Sequence, residues 1–148
     1  MPGGPTFAAF DGVYLWVACT GNANSPGTAA KLKADGTVVG SYPVGVQPFG
    51  VAFDGANVWV ANMGDGTVSK LRASDGANLG TFNLHDTTRY VVFDGTNIWV
   101  STSNADVYEL RDSDGAQLGV FGFGDEGLVF DGANVWAASF SSNNVFKF

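Results

Sequence analysis

His85 is the only histidine of the chain and Cys19 the only cysteine, so acid–base or nucleophilic chemistry has few places to reside. As a general base His85 would need a carboxylate to orient its ring, and Asp86 and Asp125 are partners of the right type. A set of oxygen donors, Asp65, Asp86, Asp106, Asp125 and Glu126, would suit Ca²⁺ or Mg²⁺ if the loops carrying them met at a channel mouth. No Asp-x-Asp-x-Asp-Gly loop is present, so these carboxylates read first as solvated loop residues. Zinc takes several Cys or His ligands, which one residue of each type does not supply. No Gly-x-Ser-x-Gly elbow occurs, and the glycine-rich stretches do not open a helix, so they are turns and not phosphate cradles. The sequence therefore assigns no catalytic residue, no metal ligand and no cofactor.

What must position these groups is a repeat. Phe10-Asp11-Gly12-Val13-Tyr14-Leu15-Trp16-Val17-Ala18 recurs as Phe53-Asp54-Gly55-Ala56-Asn57-Val58-Trp59-Val60-Ala61. It recurs again from Phe93 to Ser101 and from Phe130 to Ala138, with Trp99 and Trp136 in place; the Trp spacings are 43, 40 and 37 residues. A second unit lies between these: Lys70-Leu71-Arg72-Ala73-Ser74-Asp75-Gly76 matches Glu109-Leu110-Arg111-Asp112-Ser113-Asp114-Gly115, and Lys31 to Gly36 is the same unit one residue shorter. Each repeat reads as four strands, A to D. Strand A ends at the Phe before Asp-Gly, B carries the Trp, C carries Lys-Leu-Arg, and D follows the second Asp-Gly. Asp-Gly makes the tight turns, Gly taking the positive φ and Asp capping it. One such unit cannot cover both of its faces, whereas radial stacking covers them with Phe and Trp in the wedge between blades. The expectation is an all-β protein: a β-propeller of four tandem blades of four antiparallel strands, the last blade lacking its outer strand. It forms a single domain over residues 1–148, with blades at approximately 1–46, 47–86, 87–123 and 124–148.

The stretch from Pro48 to Phe82, PFGVAFDGANVWVANMGDGTVSKLRASDGANLGTF, resembles the YVTN/NHL-like propellers, including the YncE-type and streptogramin-lyase-like proteins. The resemblance covers essentially the whole chain. It implies the propeller fold, and a family that includes enzymes, binding modules and scaffolds. A lyase of that type would call for more than one functional His together with a Glu, and this chain has a single His.

Composition agrees with strands and tight turns: 21 Gly, 12 Phe and 4 Trp. The formal charge of −7 argues against a phosphate-binding face for nucleic acid and against docking on anionic membranes. No apolar run reaches the roughly 20 residues of a membrane span, and nothing in the sequence assigns a compartment. Seven of the fourteen acidic residues are repeated turn aspartates, and six of the seven basic residues fall on C strands, where a solvated outer strand is expected. In a propeller the A–B and C–D turns share one face, and the B–C and D–A loops share the other. The residues that break the repeat gather on the second face: Asn22, Met63, Asp65, His85, Asp86, Arg89, Tyr90, Asp106, Asp125 and Glu126. A repeat that keeps its framework and varies one loop face displays a binding surface there.

Three functions follow as expectations. The first is a non-catalytic interaction module meeting a protein or glycan through the variable loops. The second is a self-assembling propeller, a homo-oligomer joined through open propeller ends into a closed ring or a filament, since the chain opens just before a strand A and stops at a strand C. The third is a lyase or hydrolase centred on His85 with a divalent cation.

Overall fold

The computed structural model describes residues 3–22 and 24–148. Its described residues form fifteen strands in four antiparallel sheets and contain no helix. The first sheet holds β1 (Gly4–Phe10), β2 (Leu15–Thr20), β3 (Pro26–Leu32) and β4 (Val38–Val46). The second holds β5 (Pro48–Phe53), β6 (Asn57–Asn62), β7 (Thr67–Arg72) and β8 (Asn78–Asn83). The third holds β9 (Thr88–Phe93), β10 (Asn97–Thr102), β11 (Asp106–Arg111) and β12 (Gln117–Gly122). The fourth has three strands, β13 (Leu128–Phe130), β14 (Val135–Ser139) and β15 (Asn144–Lys147). Strands follow chain order within every sheet, and the first strands β1, β5, β9 and β13 neighbour one another in that order. This is the expected propeller arrangement, four blades with the last one strand short.

The A–B turns show why the repeated Asp, Gly and Trp must occur together. Gly12, Gly55, Gly95 and Gly132 have φ of 93–102°, a conformation that costs an L side chain free energy. Within each turn the Asp divides its two oxygens. Oδ1 accepts two turn N–H groups at 2.6–2.8 Å, as Asp54 does from Ala56 and Asn57. Oδ2 accepts the indole N–H of the Trp five residues on, at 2.8, 2.7, 2.7 and 2.6 Å for Trp16, Trp59, Trp99 and Trp136. The indole of a wedge Trp is thereby satisfied without opening the core to water. The Trp136 indole and the turn amides of Asn134 and Ala133 hold the Asp131 carboxyl well below the usual carboxylate range. Burial pushes Asp11 up, but its bonds from Tyr14, Trp16 and Val13 outweigh that and leave it lowered.

The wedges alternate in a fixed way. The Trp side of one blade faces the opposite side of the next: Trp16, Ala18, Ala29 and Val44 pack on Val51, Val58, Val60 and Leu71. Trp59, Ala61, Val68 and Leu84 likewise pack on Val91, Ile98, Val100 and Leu110, and Trp99 and Val107 on Val135 and Ala137. An aromatic of the fourth strand lies over each of the first three Trp rings: Tyr42 on Trp16, Phe82 on Trp59 and Phe121 on Trp99, at 5.5–5.6 Å between centroids. Gly50 keeps two blades close, since a Cβ there would stand 2.5 Å from the Arg89 carbonyl oxygen.

The C-strand lysines depart from the expected solvated strand. Lys31 and Lys70 stand opposite Trp16 and Trp59 in register and are buried. Lys31 Nζ donates to the Ala73 carbonyl at 2.7 Å while lying over the Tyr14 ring, and Lys70 Nζ donates to the Asp112 carbonyl while lying over Trp59. Each therefore clips its blade to the next, and each is shielded by an aromatic face. The third blade has Glu109 at this position, where it accepts a bond from Asn97 at 2.8 Å.

Replacing Asp94 with Ala should remove the turn acceptor and leave the buried Trp99 indole unpaired, lowering unfolding free energy by about 2–4 kcal/mol. Trp59→Ala should cost about 3–5 kcal/mol. Urea titrations followed by far-UV circular dichroism measure both, and a loss below 1 kcal/mol for either would contradict this account.

Candidate functional site

The B–C and D–A connections share one face, and the described ones place the sequence-nominated residues in three groups. The first surrounds a shallow open cleft of about 280 Å³ between blades two and three, lined by Met63, Asp65, His85, Asp86, Thr87 and Asn104. Asp65 shapes its own loop: one oxygen accepts the Val46 N–H at 2.8 Å and the other the Thr67 hydroxyl at 2.7 Å. Asp86 is buried, and its Oδ1 accepts from Thr87 N at 2.7 Å and Asn104 Nδ2 at 2.6 Å. His85 is exposed with φ of 57°, its main-chain N–H held by Asn83 Oδ1 at 2.8 Å. Asp86, one of the two carboxylates expected to orient its ring, thus accepts from Asn104. Asp106 begins β11 close to Tyr108, whose hydroxyl is pushed up in pKa by burial first and then by the Asp86 and Asp106 charges.

The second group lies on the innermost strands. Arg89 of β9 reaches Glu126 on the approach to β13 at 2.7 Å and the Asp125 carbonyl at 3.1 Å. Tyr90 receives Phe49 and Phe7 edge-on, at 5.3 and 5.8 Å between centroids. Phe7, Phe49 and Tyr90 therefore pack on one another there, while Phe140 is 86% exposed on a B–C loop.

The remaining residues stand apart. Asp125 caps the fourth blade's B–C loop, accepting from Phe140 N at 2.8 Å and Ser141 N at 3.1 Å. The Ser141 bonds are foremost in keeping its pKa lowered. Asn22 is exposed in the first blade beside another cleft, of about 460 Å³, which Cys19 and Thr20 also line. The acidic residues do not converge: among the described residues no three His, Cys, Asp or Glu side chains are placed to hold a metal ion.

Sequence reasoning missed two features. On the opposite face a cleft of about 650 Å³ opens between blades one and two, lined by Tyr14, Lys31, Asn57, Arg72 and Ser74 among others. The repeat could have flagged it, because Tyr14 stands where the other blades have Asn57, Asn97 and Asn134. The second feature is a pair of carboxyls. Burial, then the facing Asp54 carboxyl, raises Asp112 above the ordinary range despite Lys70 3.6 Å from its Oδ1. Burial also pushes Asp54 up, but the bond from Asp112 and those from Ala56, Trp59 and Asn57 leave it lowered. Asp112 Oδ1 receives no hydrogen bond from a conventional donor, as expected of a group facing another carboxyl. The second blade carries Ala73 at the Asp112 position.

A group raised in the folded state contributes stability at low pH and loses it as pH rises through its folded pKa. Asp112→Asn keeps a donor toward Asp54 and removes the ionisation. Its unfolding midpoint should exceed that of the parent by a margin that widens between about pH 4 and pH 7, within about 1 kcal/mol. A margin that narrows with rising pH would contradict the assignment.

No protein-family model matches this chain, and no curated protein matches it by sequence. Solved structures do match in fold. Hydrazine synthase from Kuenenia stuttgartiensis superposes with a TM-score of 0.74 at 18% identity, over 96% of this chain and 47% of that one. BamB from Moraxella catarrhalis gives 0.77 at 17% identity, over 96% and 41%. The computationally designed Ika8 protein gives 0.76 at 14%, over 97% and 45%. The chain thus spans less than half the length of these propeller-like neighbours, and the likeness concerns fold alone.

Proposed function

We propose that this chain is a non-catalytic interaction module whose B–C and D–A loop face meets a protein or glycan partner. The observation that supports the reading is where backbone strain is stored. Among the described residues, five non-glycine residues have left-handed φ: Gln47, His85, Ala105, Phe123 and Asn143. All five lie on loops of that one face, whereas the repeated turns of the opposite face use glycine. Each such residue costs of order 1–3 kcal/mol, and a fold that places all of them on one side is shaping that side. The cleft beside His85, with its carboxylate, amide and thioether groups, offers hydrogen bonds to a polar ligand or loop. The enzyme reading carries less, because Asp86 bonds Asn104 and the acidic residues stay apart. The YVTN/NHL-like wording of the repeat agrees with a module of this kind.

A glycan array and a panel of immobilised peptides probed with the labelled chain test this reading. A retained ligand should lose at least about tenfold in affinity with His85→Ala combined with Asn104→Ala, and nothing with Asp75→Ala on the other face. Binding that follows Asp75 instead would overturn it.

A second reading, assembly of copies through the end blades, has its own support. Phe10, Val13 and Leu15 on the first blade and Val129 and Val145 on the fourth are exposed, although Val58 and Val68, the second-blade counterparts of Leu15 and Val145, are wholly buried. An oligomer joined head to tail would cover both faces. Light scattering on a sizing column should then give at least twice the 15.4 kDa chain mass, reduced by Leu15→Arg; a monomer for the parent chain rules this reading out.

A further inference from the structure

Two residues that depart from the repeat on the turn face surround one buried cation. The first two blade junctions use the same three places: the A–B turn aspartate and C-strand lysine of one blade, and the residue that follows Leu-Arg in the next. Between blades two and three these are Asp54, Lys70 and Asp112. The Asp112 carboxyl faces Asp54 and stands 3.6 Å from Lys70 Nζ, so each group there has a partner. Between blades one and two they are Asp11, Lys31 and Ala73, and the third place carries only a methyl group. The clip itself is the same at both junctions: Lys31 donates to the Ala73 carbonyl as Lys70 does to that of Asp112.

Asp11, Lys31 and Ala73 all line the cleft of about 650 Å³ on this face, a volume in the range of small-molecule sites. Lys31 is 7% exposed and makes no ion pair among the described residues. Burying an ammonium without a counter-charge costs free energy, which its carbonyl bond and the Tyr14 ring 4.3 Å away offset only in part. Tyr14 is the second departure. At its position Asn57 turns its side-chain amide back on Asp54 Oδ2 at 3.0 Å, so that this oxygen takes both an amide and the Trp59 indole. Asp11 Oδ2 accepts only the Trp16 indole among the described residues, at 2.8 Å, because a tyrosine has no amide to offer. With Phe53, the Tyr14 ring instead gives the cleft an apolar wall. Both departures thus take partners from the same two charged groups. A group placed between them must donate to a carboxylate and accept from an ammonium. A primary carboxamide does both without charge. A carboxylate only accepts, and sets its charge against Asp11 as Asp112 does against Asp54.

From these departures we infer that the cleft between blades one and two is a carboxamide-binding site. It takes a small molecule whose primary amide sits where Asp112 carries its carboxyl at the next junction. The amide N–H donates to Asp11 Oδ2, the amide carbonyl accepts from Lys31 Nζ, and the apolar body lies along Tyr14 and Phe53. Two polar groups fix the orientation and an aromatic wall supplies contact, the usual division in a small-molecule site. The cleft is on the face opposite the variable loops, and none of the residues it rests on serves either reading above. Its failure therefore leaves both untouched.

Benzamide is the probe, compared with acetophenone, which has a methyl group in place of the amide nitrogen, and with benzoate, which only accepts. Titrated into the full chain and followed by amide NMR, benzamide should saturate one site with a Kd of about millimolar, as expected of so small a ligand. The Tyr14 and Ala73 amides should shift, since the first donates to Asp11 Oδ1 and the second lies beside the Lys31 clip. At about pH 7 acetophenone and benzoate should bind at least about tenfold more weakly. Ala73→Asp copies the third blade, fills the place with its own carboxyl and should abolish binding while leaving the circular dichroism spectrum intact. Tyr14→Asn, which copies the second blade and returns an amide to Asp11, is the second variant should the aspartate disturb folding; it should weaken binding at least about tenfold. His85→Ala combined with Asn104→Ala should change nothing. No saturable binding up to about 20 mM benzamide, equal binding by acetophenone, or binding indifferent to both Ala73→Asp and Tyr14→Asn would each overturn the assignment.

Discussion

One carboxylate in each blade carries two obligations, and the rest of the architecture depends on both being met. Asp11, Asp54, Asp94 and Asp131 hold the A–B turn with one oxygen and the wedge indole with the other. A hairpin turn is a local choice and a core Trp is a long-range one; the shared acceptor ties the two together. The turn can be correct only when the indole points into the wedge, and the indole is satisfied only when the turn has closed. Hairpin register and Trp orientation are consequently specified by the same atoms in all four blades, and blade spacing at the three junctions.

Much of the framework was legible because it rests on local stereochemistry. Asp-Gly at fixed distance from Trp demands a positive-φ turn ahead of a strand, and Gly12, Gly55, Gly95 and Gly132 adopt it. The Asp–indole bond was hidden, since a turn cap accounts for the Asp without it. The buried lysines were hidden for a different reason. Charge on an alternating strand reads as a solvent face, yet Lys31 and Lys70 lie on the same side as their Trp and send only the ammonium across to a carbonyl. The candidate site was legible only as a face. Whether Asp65, Asp86, Asp106 and Asp125 meet depends on loop hydrogen bonds, to Val46, Asn104 and Phe140 among others, that no residue pattern encodes.

The two faces divide labour in a way the energetics explain. The turn face is repetitive, uses glycine wherever the backbone turns left-handed, and houses the clips and the Asp54–Asp112 carboxyl pair near the blade junctions. The loop face tolerates strained non-glycine residues because the sheets beneath hold both ends of every loop. Blade junctions are not equivalent either. The first two have lysine clips, while the third relies on the Arg89–Glu126 ion pair inside and the Trp99–Phe121–Phe148 cluster outside.

The near-identity of the wedges has a consequence for how the chain finds its order. Every blade offers the same Trp side and the same aliphatic side, so a newly formed third blade could dock on the first and skip the second with little loss of apolar burial. The lysine clips do not forbid this, because Lys31 needs only a main-chain carbonyl, and Asp112 of the third blade offers one where Ala73 of the second does. The innermost strand does discriminate: Arg89 of the third blade finds its carboxylate at Glu126 of the fourth. That blade-specific ion pair acts as an address label, favouring sequential assembly over the skipped-neighbour traps to which repeat chains are prone.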